Sequence, residues 1–89
     1  MDGIELAISR VTRSVKESFA RRGWKVKSSR SPKSRSRYVY AELRSRKLIV
    51  RISDHRNPAA RSDIDIDYRK YQQKRLARYL DKKKSGRSR

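Results

Sequence analysis

Apolar and polar residues alternate most regularly between Tyr38 and His55, YVYAELRSRKLIVRISDH. Val39, Ala41 and Leu43 alternate with Tyr38, Tyr40 and Glu42, and Leu48, Val50 and Ile52 alternate with Lys47, Ile49 and Arg51. A period of two sends successive side chains to opposite faces, so the stretch predicts two antiparallel strands with one face buried. Arg44-Ser45-Arg46 between them is too short for a helical crossover and implies a hairpin turn, although the Asn-Gly or Asp-Gly pair of the tightest turns is missing.

Upstream, the period changes. Ile4, Ala7, Ile8, Val11, Val15 and Phe19 recur at helical spacing among Ser, Arg, Lys and Glu, which predicts an amphipathic helix with one stripe turned to a core. Asp2 suits its N-cap with Glu5 as the capping partner, and Arg21, Arg22 and Gly23 supply a cationic end and a left-handed stop. Trp24, Val26 and Ser28 then alternate with Lys25 and Lys27, a short strand in which Trp24 either plugs the helix-sheet junction or offers a ring to a base.

Ser28 to Arg37, SSRSPKSRSR, has no apolar residue and no period, and predicts a mobile basic loop. Residues 56–61 form a second loop through the Asn57-Pro58 step. Ser62 to Asp67, SDIDID, alternates and reads as a further strand with Ile64 and Ile66 inward or as the opening of a helix. From Tyr68, the residues Gln72, Leu76, Tyr79 and Leu80 share a face with it, so a second amphipathic helix is expected to about Lys83, with acids near its positive end and Lys82, Lys83 and Lys84 near its negative end. The expected architecture is α+β: a helix, a small antiparallel sheet of three or four strands, and a helix, with both helices on one sheet face. A single domain spans 1–84 with its basic loop at 28–37, and 85–89 form a disordered basic tail.

Composition narrows what such a fold can do. The 89 residues are 34% hydrophobic, enough for one modest core and not for a deep enclosed cleft. Lys and Arg number 27 against nine Asp and Glu, a net +18 that repels itself and is offset best by a polyanion. Nucleic acid is the obvious polyanion, and an acidic protein surface or anionic lipid satisfies the same electrostatics. There is no cysteine and one histidine, which removes thiolate zinc sites and disulfides and suits a reducing cytoplasm. No apolar run approaches the roughly 20 residues of a membrane span, and the N-terminus lacks a secretory pattern. No cofactor is expected.

The candidate binding residues follow from the layout. Arg30, Lys33, Arg35 and Arg37 of the Arg-Ser loop, Arg44 and Arg46 of the turn, Tyr38, Tyr40, Lys47 and Arg51 of the outer sheet face, and Arg56 and Arg61 of the second loop form an aromatic and cationic surface suited to phosphate backbone. The bland alternative for Tyr38 and Tyr40 is cross-strand packing. Asp54-His55 is an acid-histidine pair at a strand end, readable as a catalytic base or as a loop anchor in which Asp54 binds backbone amides and His55 packs beneath it. Asp63, Asp65 and Asp67 make a carboxylate ladder for Mg²⁺ if extended, or helix-opening acids if not.

Ser36, Tyr38 and Val39 followed by Ile49 to His55 resemble a pattern of small uncharacterised proteins of phages and other mobile elements: S-x-Y-V, a short turn, then V-R-I-S-D-H. The resemblance covers about a fifth of the chain and implies a bacterial or phage cytoplasm and a specific role for Asp54 and His55; it carries no activity or cofactor. The Arg-Ser loop resembles the tracts of splicing factors in composition alone. The element order also resembles the double-stranded RNA-binding domain, without its Gly-rich signature or its Lys cluster, and the PD-D/E-x-K nuclease core, where Glu42-Leu43-Arg44 puts arginine in place of the lysine.

The expected function is a non-enzymatic nucleic-acid-binding accessory protein of a phage or mobile element, reading backbone and little sequence. The alternatives are an anti-defence inhibitor, for example of a CRISPR complex, docking on a host nucleoprotein effector, and a minimal nuclease. DNA or RNA, one strand or two, and the oligomeric state are all left open by the sequence.

Overall fold

The computed structural model describes residues 3–32, 34–54 and 62–85, the last three as backbone only. Helix α1 (Gly3–Ala20) is followed by strands β1 (Lys25–Arg30), β2 (Arg37–Leu43), β3 (Arg46–Ser53) and β4 (Ile64–Asp67), a 3-10 turn at Tyr68–Lys70, and helix α2 (Gln73–Ser85). The fold is α+β, as the alternation predicts. The Asp2 cap, Lys33, His55, the loop with Arg56 and Arg61, and the tail from 86 lie outside the described residues.

The hairpin has the expected inward set. Val39, Ala41, Val50 and Ile52 are buried against α1, while Leu43 and Leu48 pack at the rim of the same core. Leu43 pairs with Arg46, so the turn contains only Arg44 and Ser45, with Arg44 at a left-handed φ of 58°.

From α1 the core receives Ile8, Val15 and Phe19, each fully buried. Ile4 departs from the predicted stripe: it lies in the first turn and is exposed. The helix ends as its sequence predicts. Trp24 N–H donates to Phe19 O at 3.1 Å and Gly23 N–H to Ala20 O at 3.0 Å, with Gly23 at φ 89°. These two bonds satisfy carbonyls that a helix end leaves unpaired, and glycine adopts the left-handed angle without a Cβ penalty. Trp24 closes the motif by packing edge-on against Phe19, ring centroids 5.2 Å apart, and is 9% exposed. Of its two sequence readings, the junction plug is the one observed.

Three expectations change. The sheet is mixed, ordered β1-β2-β3-β4, with β4 parallel to β3. This corrects the antiparallel sheet that the sequence predicts; parallel neighbours usually need a crossover of about a dozen residues or more. Aspartates help to fasten β4 here: Asp63 N–H donates to Ile49 O at 2.7 Å, Asp63 Oδ2 accepts from Ile49 N–H at 2.8 Å, and Ile64 and Ile66 pack on the core.

The second correction concerns the loop expected at 28–37. β1 continues to Arg30 and β2 begins at Arg37, the two paired, because edge strands tolerate polar side chains once backbone pairing is available.

The third concerns the second helix, which begins at Gln73 and not at Tyr68. Asp67 accepts from Arg69 N–H at 3.0 Å and caps a 3-10 turn, and Tyr71 is extended at φ −64°, ψ 132°. The interruption brings the Tyr71 hydroxyl within 2.8 Å of Ser14 Oγ on α1. Gln72 and Tyr79, expected on the inward face, are exposed, whereas Leu76 and Leu80 join the core. Asp65 and Asp67 are strand residues and Asp63 directly precedes the strand; Asp67 also caps the 3-10 turn, and none of the three opens α2.

Candidate nucleic-acid interface

Register decides which cations share a surface. Across the outer sheet face, Lys27 lies opposite Tyr40 and Tyr40 opposite Ile49; Ser29 opposite Tyr38 and Tyr38 opposite Arg51; Lys25 opposite Glu42 and Glu42 opposite Lys47. Tyr38 and Tyr40 stack on one another with centroids 6.4 Å apart and planes inclined by 23°. Tyr40 is 43% exposed, and Lys25, Lys27 and Lys47 are exposed around it.

The face is open at the hairpin end and closed at the other. Arg51 is 7% exposed and Ser53 1%. The Arg51 guanidinium lies 3.4 Å from Asp65 Oδ2, and Ser53 Oγ donates to Asp65 Oδ1 at 3.1 Å. Arg51, a predicted phosphate contact, is thus a buried sheet residue held by a carboxylate.

The remaining predicted cations do not converge on this face. Arg30 and Arg37 point to the helix side, where Arg30 reaches Glu5 Oε1 at 2.7 Å and Arg37 at 3.9 Å. Glu5 is their counter-ion. Arg46 also lies on the helix side, its guanidinium carbon 5.6 Å from the Trp24 ring centroid. Arg35 sits 3.9 Å from Asp54 Oδ2, so Asp54 faces a guanidinium. Arg44 occupies the exposed turn.

What sequence reasoning left out of the site is Lys25 and Lys27. Their alternation with Trp24, Val26 and Ser28 was visible, but only the pairing of β1 with β2 places them beside Tyr40. On the far margin, the acids of β4 and its approach are engaged by the protein itself. Asp63 holds Ile49 N–H, Asp65 holds Arg51 and Ser53, and Asp67 accepts from Arg69 Nε at 3.0 Å and NH2 at 2.8 Å. The hydrogen bond from Arg69 holds the Asp67 carboxyl below its ordinary value, and Asp67 raises Arg69 in return. Among the described residues, no group of three His, Cys, Asp or Glu is placed to hold a metal ion, and no helix is long and apolar enough to cross a membrane.

The arrangement presents ammonium groups and an exposed aromatic ring on one surface, which can attract phosphates and stack a planar base. No protein-family model, curated protein or solved structure matches the chain.

Proposed function

We propose that the chain is a non-enzymatic nucleic-acid-binding accessory protein that grips phosphate backbone with little sequence readout, in the phage or mobile-element setting to which its S-x-Y-V and V-R-I-S-D-H segments point. The observation that carries the reading is the open half of the sheet face, where Lys25, Lys27 and Lys47 stand near Tyr40 with Glu42 among them, in a chain of net charge +18. Ammonium groups bind any phosphate, and a tyrosine ring accepts the π-face of any base, so such a surface favours affinity over sequence discrimination.

Binding measured against salt tests it. Each neutralised phosphate contributes about −0.7 to the slope of log affinity against log salt on a single strand and about −0.9 on a duplex. Replacing Lys25, Lys27 and Lys47 by Gln should flatten that slope by roughly two to three units. Replacing Arg30 and Arg37 by Gln should leave it nearly unchanged, since both face Glu5 on the helix side. A flat dependence in the parent protein rules the function out.

A further inference from the structure

The open half of the sheet is polarised from one margin to the other. Lys25 and Lys27 line the β1 margin, Lys47 stands at the hairpin end, and Asp63 lies beside Ile49 on the opposite margin, while Asp65 and Asp67 belong to the closed end beside Arg51 and Ser53. Between them lie Tyr40, Tyr38 and Ile49, a mainly apolar strip one or two side chains wide, with Glu42 between Lys25 and Lys47 at its hairpin end. Strands are spaced about 4.8 Å apart, so β1 and β3 are separated by about 10 Å.

We propose that this strip takes single-stranded nucleic acid and not duplex. The inference rests on the nucleic-acid reading above and specifies its substrate. The backbone follows the Lys25–Lys27 line along β1, and its bases turn inward onto Tyr40 and Ile49. The β1 margin carries Lys25 and Lys27, whereas the margin beside Ile49 carries the Asp63 carboxylate, so phosphates are favoured along β1 and the bases point toward β3.

A physical argument separates this occupant from duplex. A ring lying in an open sheet face gains stacking energy only from a base whose own face is uncovered, and the bases of a duplex already cover one another.

The test uses the full chain with a labelled homopyrimidine oligonucleotide and a duplex of the same length, in one buffer, by fluorescence anisotropy. The parent protein should prefer the single strand. Tyr40→Leu keeps apolar bulk and removes the π-face, and should weaken single-strand binding roughly tenfold while leaving duplex binding unchanged. Tyr40→Phe should bind like the parent. Lys25→Gln with Lys27→Gln, both on an exposed edge strand, should flatten the single-strand salt slope by about 1.4 and spare folding, so the proposal stays testable even if Tyr40→Leu melts early.

Equal or tighter binding of duplex, with Tyr40→Leu changing neither affinity, overturns the single-strand assignment and leaves the broader nucleic-acid reading standing. Absence of salt-dependent binding to either probe overturns both. A stable dimer in sedimentation that Tyr40→Leu dissociates gives the face to a second copy and overturns the assignment as well.

Discussion

Arg51 and Asp65 face one another across the parallel strands β3 and β4, guanidinium to carboxylate at 3.4 Å, with the arginine side chain 8% exposed and the aspartate 31%. The asymmetry matters because the deeper partner loses more when the pair is broken. Asp65→Ala leaves a buried guanidinium short of a counter-ion and should cost about 2 kcal/mol. Arg51→Met leaves a carboxylate that water reaches and Ser53 still serves, and should cost less. Chemical denaturation of both variants gives the order. Arg51→Met should also leave the salt slope of nucleic-acid binding unchanged.

Gly23 ends α1 at φ 89°, and a Cβ there meets nothing nearer than Leu43 Cδ1 at 3.9 Å. Space is ample, so the cost of Gly23→Ala is conformational. It should be about 1 kcal/mol, seen as a Tm lowered by about 4–8 °C.

The opposite sign is expected at Arg44, a non-glycine residue at φ 58° in a two-residue turn. Arg44→Gly relieves the left-handed strain and should stabilise by roughly 0.5–1 kcal/mol. Arg44→Ala removes the same charge but keeps the strain, so a thermal melt of both separates backbone from electrostatics.

Acid should act on the Asp67–Arg69 pair. The Asp67 carboxyl is lowered by the hydrogen bond from Arg69, so below its ordinary value the unfolded chain binds more protons than the folded one. Its stabilisation is complete above about pH 4 and is lost as pH falls through the lower folded value. Asp67→Asn should therefore shrink the drop in stability below pH 4. Melts from neutral to strongly acidic pH, compared with the parent, check this.

Arg22 fastens the two helices. Its Nε donates to Asp81 Oδ1 at 2.8 Å, NH1 to Ser18 O at 2.7 Å and NH2 to Ala77 O at 3.4 Å. A lysine cannot span three acceptors in fixed directions. Arg22→Lys should cost about 1 kcal/mol, and more than Asp81→Asn, because the backbone carbonyls lose their donor in the first case only. Urea unfolding compares the two.

The sequence by itself determined the elements whose residues speak to near neighbours. The α1 stripe, the Gly23 stop and the inward set Val39, Ala41, Val50 and Ile52 are all readable, because a period of 3.6 or two and a left-handed glycine are local properties. Tertiary structure alone decided the rest. Whether SDIDID forms a strand, as it does over Ile64–Asp67, depends on an edge being available at β3, and its parallel direction depends on Asp63 and Asp65 finding Ile49 and Arg51 across the sheet. The start of α2 depends on Asp67 capturing Arg69 and on Tyr71 reaching Ser14.

The candidate site divides in the same way. Arg30 and Arg37 look equivalent to Lys25 and Lys27 in a list of cations, but the strand pairing turns the first two toward Glu5 and the second two toward the Tyr40 face. Composition specifies how much charge a chain carries. Only the pairing of strands specifies which face carries it, since a shift of one residue in register sends every side chain to the opposite side.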